Sequence, residues 1–333
     1  MNLARFMDLA DFSREEVVEL VALANRLQRH PEPHALAGKI LGLVFLNPSL
    51  RTLASFQAGM ARLGGSSFVI TPGQGTWALE TRLGVRMDGG AAEHVREGLP
   101  VLASYCDALG IRAFADGKDL AADVADTNFQ AMAALVDKPF INMESAINHP
   151  CQALADWKTL DDLAVAPRSR FVLSWVPHPR ALPLAVPAAT LQMAALRGHE
   201  VVVARPEGYA LPEAVMEKAR RLAVASGGSV TETDDRASAL RGATVLYAKE
   251  WGSTAHYGDP EADARLRAGL GHWQVEDATF EPADEGCHLM HCLPVRRNVA
   301  VAESVLDGPR SVVLREAHNR LVVQMAVLHR LLA

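Results

Sequence analysis

Short apolar, β-branched runs alternate along this chain with longer stretches of helical spacing, and the alternation occurs twice. In the first half the runs are KILGLVFL (39–46), SSFVIT (66–71), ALGIRAF (108–114) and KPFINME (138–144). In the second they are RFVLSWV (170–176), EVVVARP (200–206), GSVTET (228–233), ATVLYAK (243–249) and HLMHCL (288–293). Between them lie helix patterns such as LPLAVPAATLQMAALRG and LPEAVMEKARRLAVASGG. Strand, helix, strand in repetition builds a parallel sheet covered on both faces. The chain therefore reads as α/β, with two doubly wound parallel-sheet domains. The break is placed ahead of HPCQALADWKTLDDLAVAPRSR, giving domains over 1–147 and 148–315. The last helix, 316–333, carries Leu321, Val322, Met325, Leu328, Leu331 and Leu332 at helical spacing. It needs a surface to cover, on its own domain or on the first.

A chain of 333 residues, 49% of them hydrophobic, can bury a sizeable core without disulfides. The net charge of −6 argues against nucleic acid or an anionic membrane as a partner, so any anion site must be local. No run of about 18 apolar residues offers a membrane span. Asp8, Asp11, Glu15 and Glu16 interrupt the N-terminal stretch, which does not read as a signal peptide. Ser13 and Glu16 instead read as a capping box opening a helix. Cys106, Cys151, Cys287 and Cys292 are then expected to be reduced thiols in a cytoplasmic protein.

Ligands of open α/β sheets bind at the carboxyl ends of the strands, and polar clusters follow several of these runs. After 39–46 come Ser49, Leu50, Arg51 and Thr52 at a helix start. Free N–H groups, hydroxyls and a guanidinium there suit phosphate, although Ser49 also reads as an ordinary N-cap. Arg112 lies in or just after a strand, either turned to a site or exposed on an edge. Glu144 precedes His149-Pro150-Cys151-Gln152, where Pro150 suits a first helical turn and His149 and Gln152 share a face. That pair can read a small amide, or simply belong to a capped helix. His178 and Arg180 follow 170–176, and Lys249 and Trp251 follow 243–249. In Cys287-His288-Leu289-Met290-His291-Cys292-Leu293-Pro294 two Cys and two His invite zinc. A strand running to Pro294 would face Cys287 and Cys292 apart, so no metal is expected. Arg296 and Arg297 just beyond offer another anion contact. No GxGxxG follows a strand, which argues against nicotinamide and flavin, and no GxSxG elbow or GK[ST] loop is present. Together the clusters point to an enzyme with a small phosphate-bearing substrate.

These residues resemble the aspartate/ornithine carbamoyltransferase family. Ser49-Leu50-Arg51-Thr52 is similar to its Ser-Thr-Arg-Thr phosphate loop, His149-Pro150-Cys151-Gln152 to its HPxQ motif, and His291-Cys292-Leu293-Pro294 to its HCLP motif. GQGTWALETRLGVRMDGGAAEH, WVPHPRALPLAVP and YAKEWG resemble the members acting on N-acylated ornithine. The resemblance implies a first domain for carbamoyl phosphate and a second for N-acylornithine. It also implies a homotrimer in which Trp77 reaches a neighbouring subunit, arginine biosynthesis as the setting, and no cofactor. Carbamoyl phosphate would meet Ser49, Leu50, Arg51, Thr52, Trp77, Arg112, His149, Gln152 and Arg296, with Arg112, His149 and Thr52 polarising the carbamoyl oxygen. Acylornithine would meet Ala92, Glu144, His178, Arg180, Lys249, Cys292, Leu293 and Arg296. N-acetylornithine enzymes carry Glu where Ala92 stands and Lys where Ala300 stands, so an N-succinyl acceptor is expected. N-acetylornithine and then free ornithine come behind it. Succinyl enzymes usually carry Pro in place of Ala92, and the family's second loop Arg is replaced by Leu53. A non-catalytic anion-binding protein on the same fold is the reading from another class.

Overall fold

The computed structural model describes residues 3–82 and 84–333. They divide into two compact units. One comprises the described residues up to Asp116, Ala121–Cys151 and Arg320–Ala333; the other comprises Gly117–Leu120 and Gln152–Asn319. Each is built on a five-stranded, wholly parallel sheet.

In the first unit α1 (Arg14–Arg29) follows β1 (Arg5–Phe6), opened by the Ser13–Glu16 capping box, whose two reciprocal hydrogen bonds both form. Then come β2 (Ile40–Phe45), α2 (Leu50–Arg62) and β3 (Ser66–Ile70). The short β4 (Leu79–Glu80) and β5 (Glu93–His94) pair only with each other. They are followed by α3 (Val95–Ser104), β6 (Ala108–Arg112), α4 (Leu120–Val124), α5 (Thr127–Ala133) and β7 (Phe140–Glu144). The sheet order is β1-β7-β6-β2-β3. From β2 the chain first winds outward to β3, then returns to β6 on the other side, so the winding reverses between β2 and β6. Crevices at such reversals are where open sheets bind ligands. Leu41, Leu43, Val44, Leu109, Ile111, Phe140 and Ile141 are fully buried in this sheet. Gly42 is required by a close approach: a Cβ there would stand 2.6 Å from Leu109 Cδ1.

α6 (Pro150–Asp162) carries the chain into the second unit, with Pro150 as its first residue. There follow β8 (Arg170–Trp175), α7 (Ala185–Arg197), β9 (Glu200–Ala204), α8 (Glu213–Ser226), β10 (Ser229–Thr233), α9 (Arg236–Leu240), β11 (Ala243–Lys249), α10 (Pro260–Ala268), β12 (His288–Met290) and α11 (Glu303–Leu306). α12 (Val313–Leu332) then returns to the first unit. The order β10-β9-β8-β11-β12 reverses between β8 and β11. α7 is buried along its whole length, as its nearly unbroken apolar sequence requires. Its chain leaves through Gly198 at φ +91°, a left-handed helix end that suits glycine.

All nine expected runs form strands, with one correction. The last was expected to reach Pro294 but ends at Met290. His291 leaves the ladder because its backbone N–H donates to Glu316 Oε2 at 2.9 Å, and Leu293 takes a positive φ of 46°. Face alternation along a strand therefore says nothing about Cys292. No helix among the described residues is long and apolar enough to cross a membrane.

Candidate active site

In the first unit the reversal point gathers the expected phosphate residues. Phe45 and Arg112 are register partners, so β2 and β6 end side by side. Asn47 Oδ1 accepts the Phe114 N–H at 2.7 Å and ties the two following loops together. Ser49 caps α2, its hydroxyl accepting the Thr52 N–H at 3.3 Å. The capping reading and the anion reading thus describe the same turn, in which the first N–H groups of α2 open at its N-terminus.

β6 is the middle strand of its sheet, so Arg112 is not an edge residue. It is buried, ion-paired with Glu144 at the end of β7, and stacked 4.6 Å from the Phe114 ring centre. His149 stands just ahead of α6 and is buried. Arg320, on α12, donates from Nη2 to Thr52 Oγ1 at 3.0 Å and from Nη1 to His149 Nε2 at 3.4 Å. Glu144 Oε2 also lies 3.4 Å from Nε2, but this carboxylate is taken by the Arg112 fork. A guanidinium only donates, so Nε2 is the acceptor and the proton is assigned to Nδ1. That Nδ1 is buried and meets no hydrogen-bond partner among the described residues, which makes it a donor suited to a carbonyl oxygen. Arg51, Arg112 and Arg320 thus surround one imidazole and one carboxylate. Arg320 is the member of this cluster that sequence reading missed.

Burial, with Arg320, Arg112 and Arg51 nearby, holds the His149 imidazole well below its ordinary pKa of 6.5. The unfolded chain therefore takes up a proton near pH 6.5 that the folded chain refuses, and stability falls as the pH drops below that value. His149→Asn is expected to remove one proton from this linkage, flattening the slope of unfolding free energy by an amount that approaches about 1.4 kcal/mol per pH unit roughly one pH unit below 6.5. Urea midpoints at several pH values read it, and an unchanged slope would mean that His149 titrates normally in the folded protein.

Trp77 and Ala92 lie elsewhere in the first unit. The β4–β5 pairing brings their segments together, and the exposed Trp77 indole donates to Glu93 Oε2 at 2.7 Å. Ala92 is exposed immediately before β5. Leu53 is half-buried on α2.

In the second unit the reversal point falls between β8 and β11, whose last residues, Trp175 and Lys249, are register partners. His178 donates from Nδ1 to the Arg180 carbonyl at 2.8 Å, which leaves Nε2 to accept from Arg296 Nε at 3.3 Å. Arg180 and Arg296 are exposed. Lys249 is buried 3.5 Å from Glu250 Oε2, and the same oxygen accepts from His291 Nε2 at 3.0 Å. His291 Nδ1 in turn accepts the Leu293 N–H at 3.0 Å. Burial opposes ionisation of Glu250, but Lys249 and His291 prevail and hold its carboxyl far below the usual range. Lys249, Glu250, His291 and Leu293 form one relay that fixes the backbone of the 291–294 turn. Half-buried Cys292 sits on this turn, its thiol pushed up to about 12 by burial, so it is neither a thiolate nucleophile nor a ready base. Trp251 belongs to the core, its indole donating to the Tyr209 carbonyl at 2.9 Å. Gln152, on α6, is also buried in this unit.

Comparison with known proteins agrees with this arrangement. Residues 5–162 match the carbamoyl-P binding domain of aspartate/ornithine carbamoyltransferases, and residues 186–331 match their Asp/Orn binding domain. The chain is 38% identical to N-acetylornithine carbamoyltransferase of Xanthomonas campestris pv. campestris, over 98% of this chain and 97% of that one. It is 36% identical to N-succinylornithine carbamoyltransferase of Bacteroides thetaiotaomicron, over 88% of this chain and 87% of that one. Its fold superposes with TM-score 0.95, at 37% identity, on a glutamate-to-alanine variant of N-acetyl-L-ornithine transcarbamylase complexed with carbamyl phosphate and N-succinyl-L-norvaline. That match covers 99% of this chain and 100% of the other. With both domains matched and the strand-end clusters in place, the chain belongs to the aspartate/ornithine carbamoyltransferase family and is a carbamoyltransferase.

Proposed function

We propose that the protein transfers the carbamoyl group of carbamoyl phosphate to the δ-amine of N-succinyl-L-ornithine, giving N-succinyl-L-citrulline and phosphate, in arginine biosynthesis. The observation that carries the donor half is the cluster of Arg51, Arg112 and Arg320 around a neutral His149 at the start of α2. Three guanidiniums against the single carboxylate of Glu144 leave an excess of positive charge that suits a phosphate dianion. Ser49, Leu50, Arg51 and Thr52 take the phosphate through side chains and helix N–H groups. Arg112, Thr52 and the His149 Nδ1–H converge on the carbamoyl oxygen, and Gln152 takes the carbamoyl NH2. Glu144 anchors Arg112 and is the carboxylate that an incoming amine meets. In the second unit Lys249, His178, Arg180 and Arg296 supply cationic partners for the carboxylates of the acceptor, with Cys292 and Leu293 along its reacting end. Arg296 also contributes to the phosphate. Trp77, exposed on its loop, completes the site of a second copy in a homotrimer.

The neutral δ-amine attacks the carbamoyl carbon, the oxyanion collapses, and the C–O bond to phosphate breaks. The departing phosphate accepts the amine proton, so no covalent intermediate forms on the protein. Orientation and oxyanion stabilisation supply the rate. The lean toward the succinyl group rests on Ala92, which stands where N-acetylornithine enzymes carry Glu. The relative that bound N-succinyl-L-norvaline is itself a glutamate-to-alanine variant.

The direct test is citrulline formation with N-succinylornithine, N-acetylornithine and ornithine in parallel. Preference for the succinyl compound is expected; preference for the acetyl compound would overturn the acyl assignment and leave the donor site standing. Turnover of none would favour a non-catalytic anion-binding protein. Within the same assay Arg51→Ala is expected to raise the carbamoyl phosphate KM and Lys249→Ala the acylornithine KM, each by about 10- to 100-fold for the loss of a charge-assisted contact. Equal loss of both substrates from either variant would contradict the division of labour.

A further inference from the structure

The arginine at the end of β6 is held by more than its ion pair. The ladder runs one residue past it: the Leu46 N–H donates to the Arg112 carbonyl at 3.0 Å, and the Ala113 N–H to the Glu144 carbonyl at 2.9 Å. In so extended a stretch residues two apart share a face, which puts Phe114 on the face of Arg112. The guanidinium carbon stands over the Phe114 ring, 4.6 Å from its centre. Phe114 is anchored in turn, since Asn47 Oδ1 accepts its N–H at 2.7 Å. Asn47 comes just ahead of Ser49, so the ring is tied to the start of the phosphate loop.

The hydrogen bonds of the guanidinium leave one donor waiting. Arg112 Nη1 is bonded to Glu144, whereas Nε is buried and meets no acceptor among the described residues. A buried donor without an acceptor is costly to keep, and it serves a ligand only if its direction is enforced. The ion pair at Nη1 does not enforce it, because the guanidinium can pivot about that one contact. A ring covering one side removes the freedom to pivot.

We propose that Phe114 is a positioning residue for the transfer step: its ring face holds the Arg112 guanidinium by cation–π attraction, shuts water from that side, and keeps the Nε–H turned to the carbamoyl oxygen. This deepens the donor reading above and rests on its assignment of Arg112. Every group involved belongs to the first unit. The attraction comes from the negative charge of the ring face, so the position needs an aromatic ring and not merely an apolar side chain. It is strongest where the cation is desolvated, and Arg112 is buried.

The test measures kcat and kcat/KM on the acceptor that wild type turns over fastest. The proteins are Phe114→Tyr, Phe114→Leu, and chains carrying mono-, di- or trifluorinated phenylalanine at the same position. Fluorine withdraws charge from the ring face stepwise with little change in size. Phe114→Leu is expected to lower kcat and kcat/KM together by about tenfold, because charge on the carbamoyl oxygen develops only in the transition state. Phe114→Tyr keeps the ring and should keep the rate. The logarithm of kcat should fall in step with the number of fluorines. In an Arg112→Ala background Phe114→Leu should cost nothing further, since the ring acts through the guanidinium. A purely structural role would lower the melting temperature of Phe114→Leu and leave the fluorinated proteins at the wild-type rate. A flat fluorine series, or a full tenfold loss in the Arg112→Ala background, overturns the positioning role. The fluorinated proteins keep the shape of the side chain and carry the test if Phe114→Leu does not fold. A wild-type rate in Arg112→Ala would instead overturn the assignment of Arg112, and this inference with it.

Discussion

Replacing Arg112 by alanine is expected to lower kcat/KM by about 10²- to 10³-fold, the usual cost of one preorganised oxyanion donor. It should also lower stability by about 3–5 kcal/mol, because Glu144 would be left buried and unpaired. Arg112 and Glu144 end neighbouring strands, are both buried, and face each other as an ion pair. Removing one partner exposes the full desolvation cost of the other, whereas replacing both by apolar groups often costs little. Arg112→Met combined with Glu144→Leu is therefore expected to recover most of the urea midpoint and none of the activity. Citrulline formation and urea unfolding on the three proteins read both quantities. Recovery of activity in the double variant would show that Arg112 is only a structural partner. Full stability of the single alanine variant would show that the pair is not buried as described.

The fold was legible because most of the long strands are apolar runs bounded by turn residues, as central parallel strands buried on both faces must be, whereas the edge strand β10 (Ser229–Thr233) is polar and has no buried residue. The reversal points were not legible, since strand order depends on pairing across the chain. The motifs nevertheless sit at them: Ser49 to Thr52 and Arg112 at one, His178 and Lys249 at the other. The pairs β1 with β7 and β4 with β5 involve two-residue strands, too short to show any period. Arg320 was hidden by its surroundings, as the apolar residues of α12 dominate the pattern. Yet Glu316, Arg320 and Gln324 recur every fourth residue and are all buried. A polar stripe at helical spacing inside an apolar helix was the available signal. Glu250 could not be found that way, because its partner His291 is 41 residues distant.

Ala92→Glu is expected to turn the acceptor preference from N-succinylornithine toward N-acetylornithine. Two carboxylates about 4 Å apart repel by about 4 kcal/mol at the effective dielectric of a protein surface. Ala92 is exposed in the single chain, and solvent screening trims this to about 1–2 kcal/mol. That corresponds to about a 5- to 30-fold change in the ratio of kcat/KM values. The effect is selective because only the succinyl group brings a distal carboxylate; the acetyl group ends in a methyl. The carbamoyl phosphate KM should move far less than the acceptor ratio, since Arg51, Thr52 and Arg112 are on α2 and β6 and the added charge faces the acyl group. Ala92→Gln separates charge from bulk: it adds similar volume without charge and should retain most of the succinyl preference. If Ala92→Gln and Ala92→Glu lower succinyl turnover equally, room rather than charge sets the specificity. If neither moves the ratio, the acyl group is read elsewhere, and the cationic residues Arg180 and Arg296 become the first to exchange.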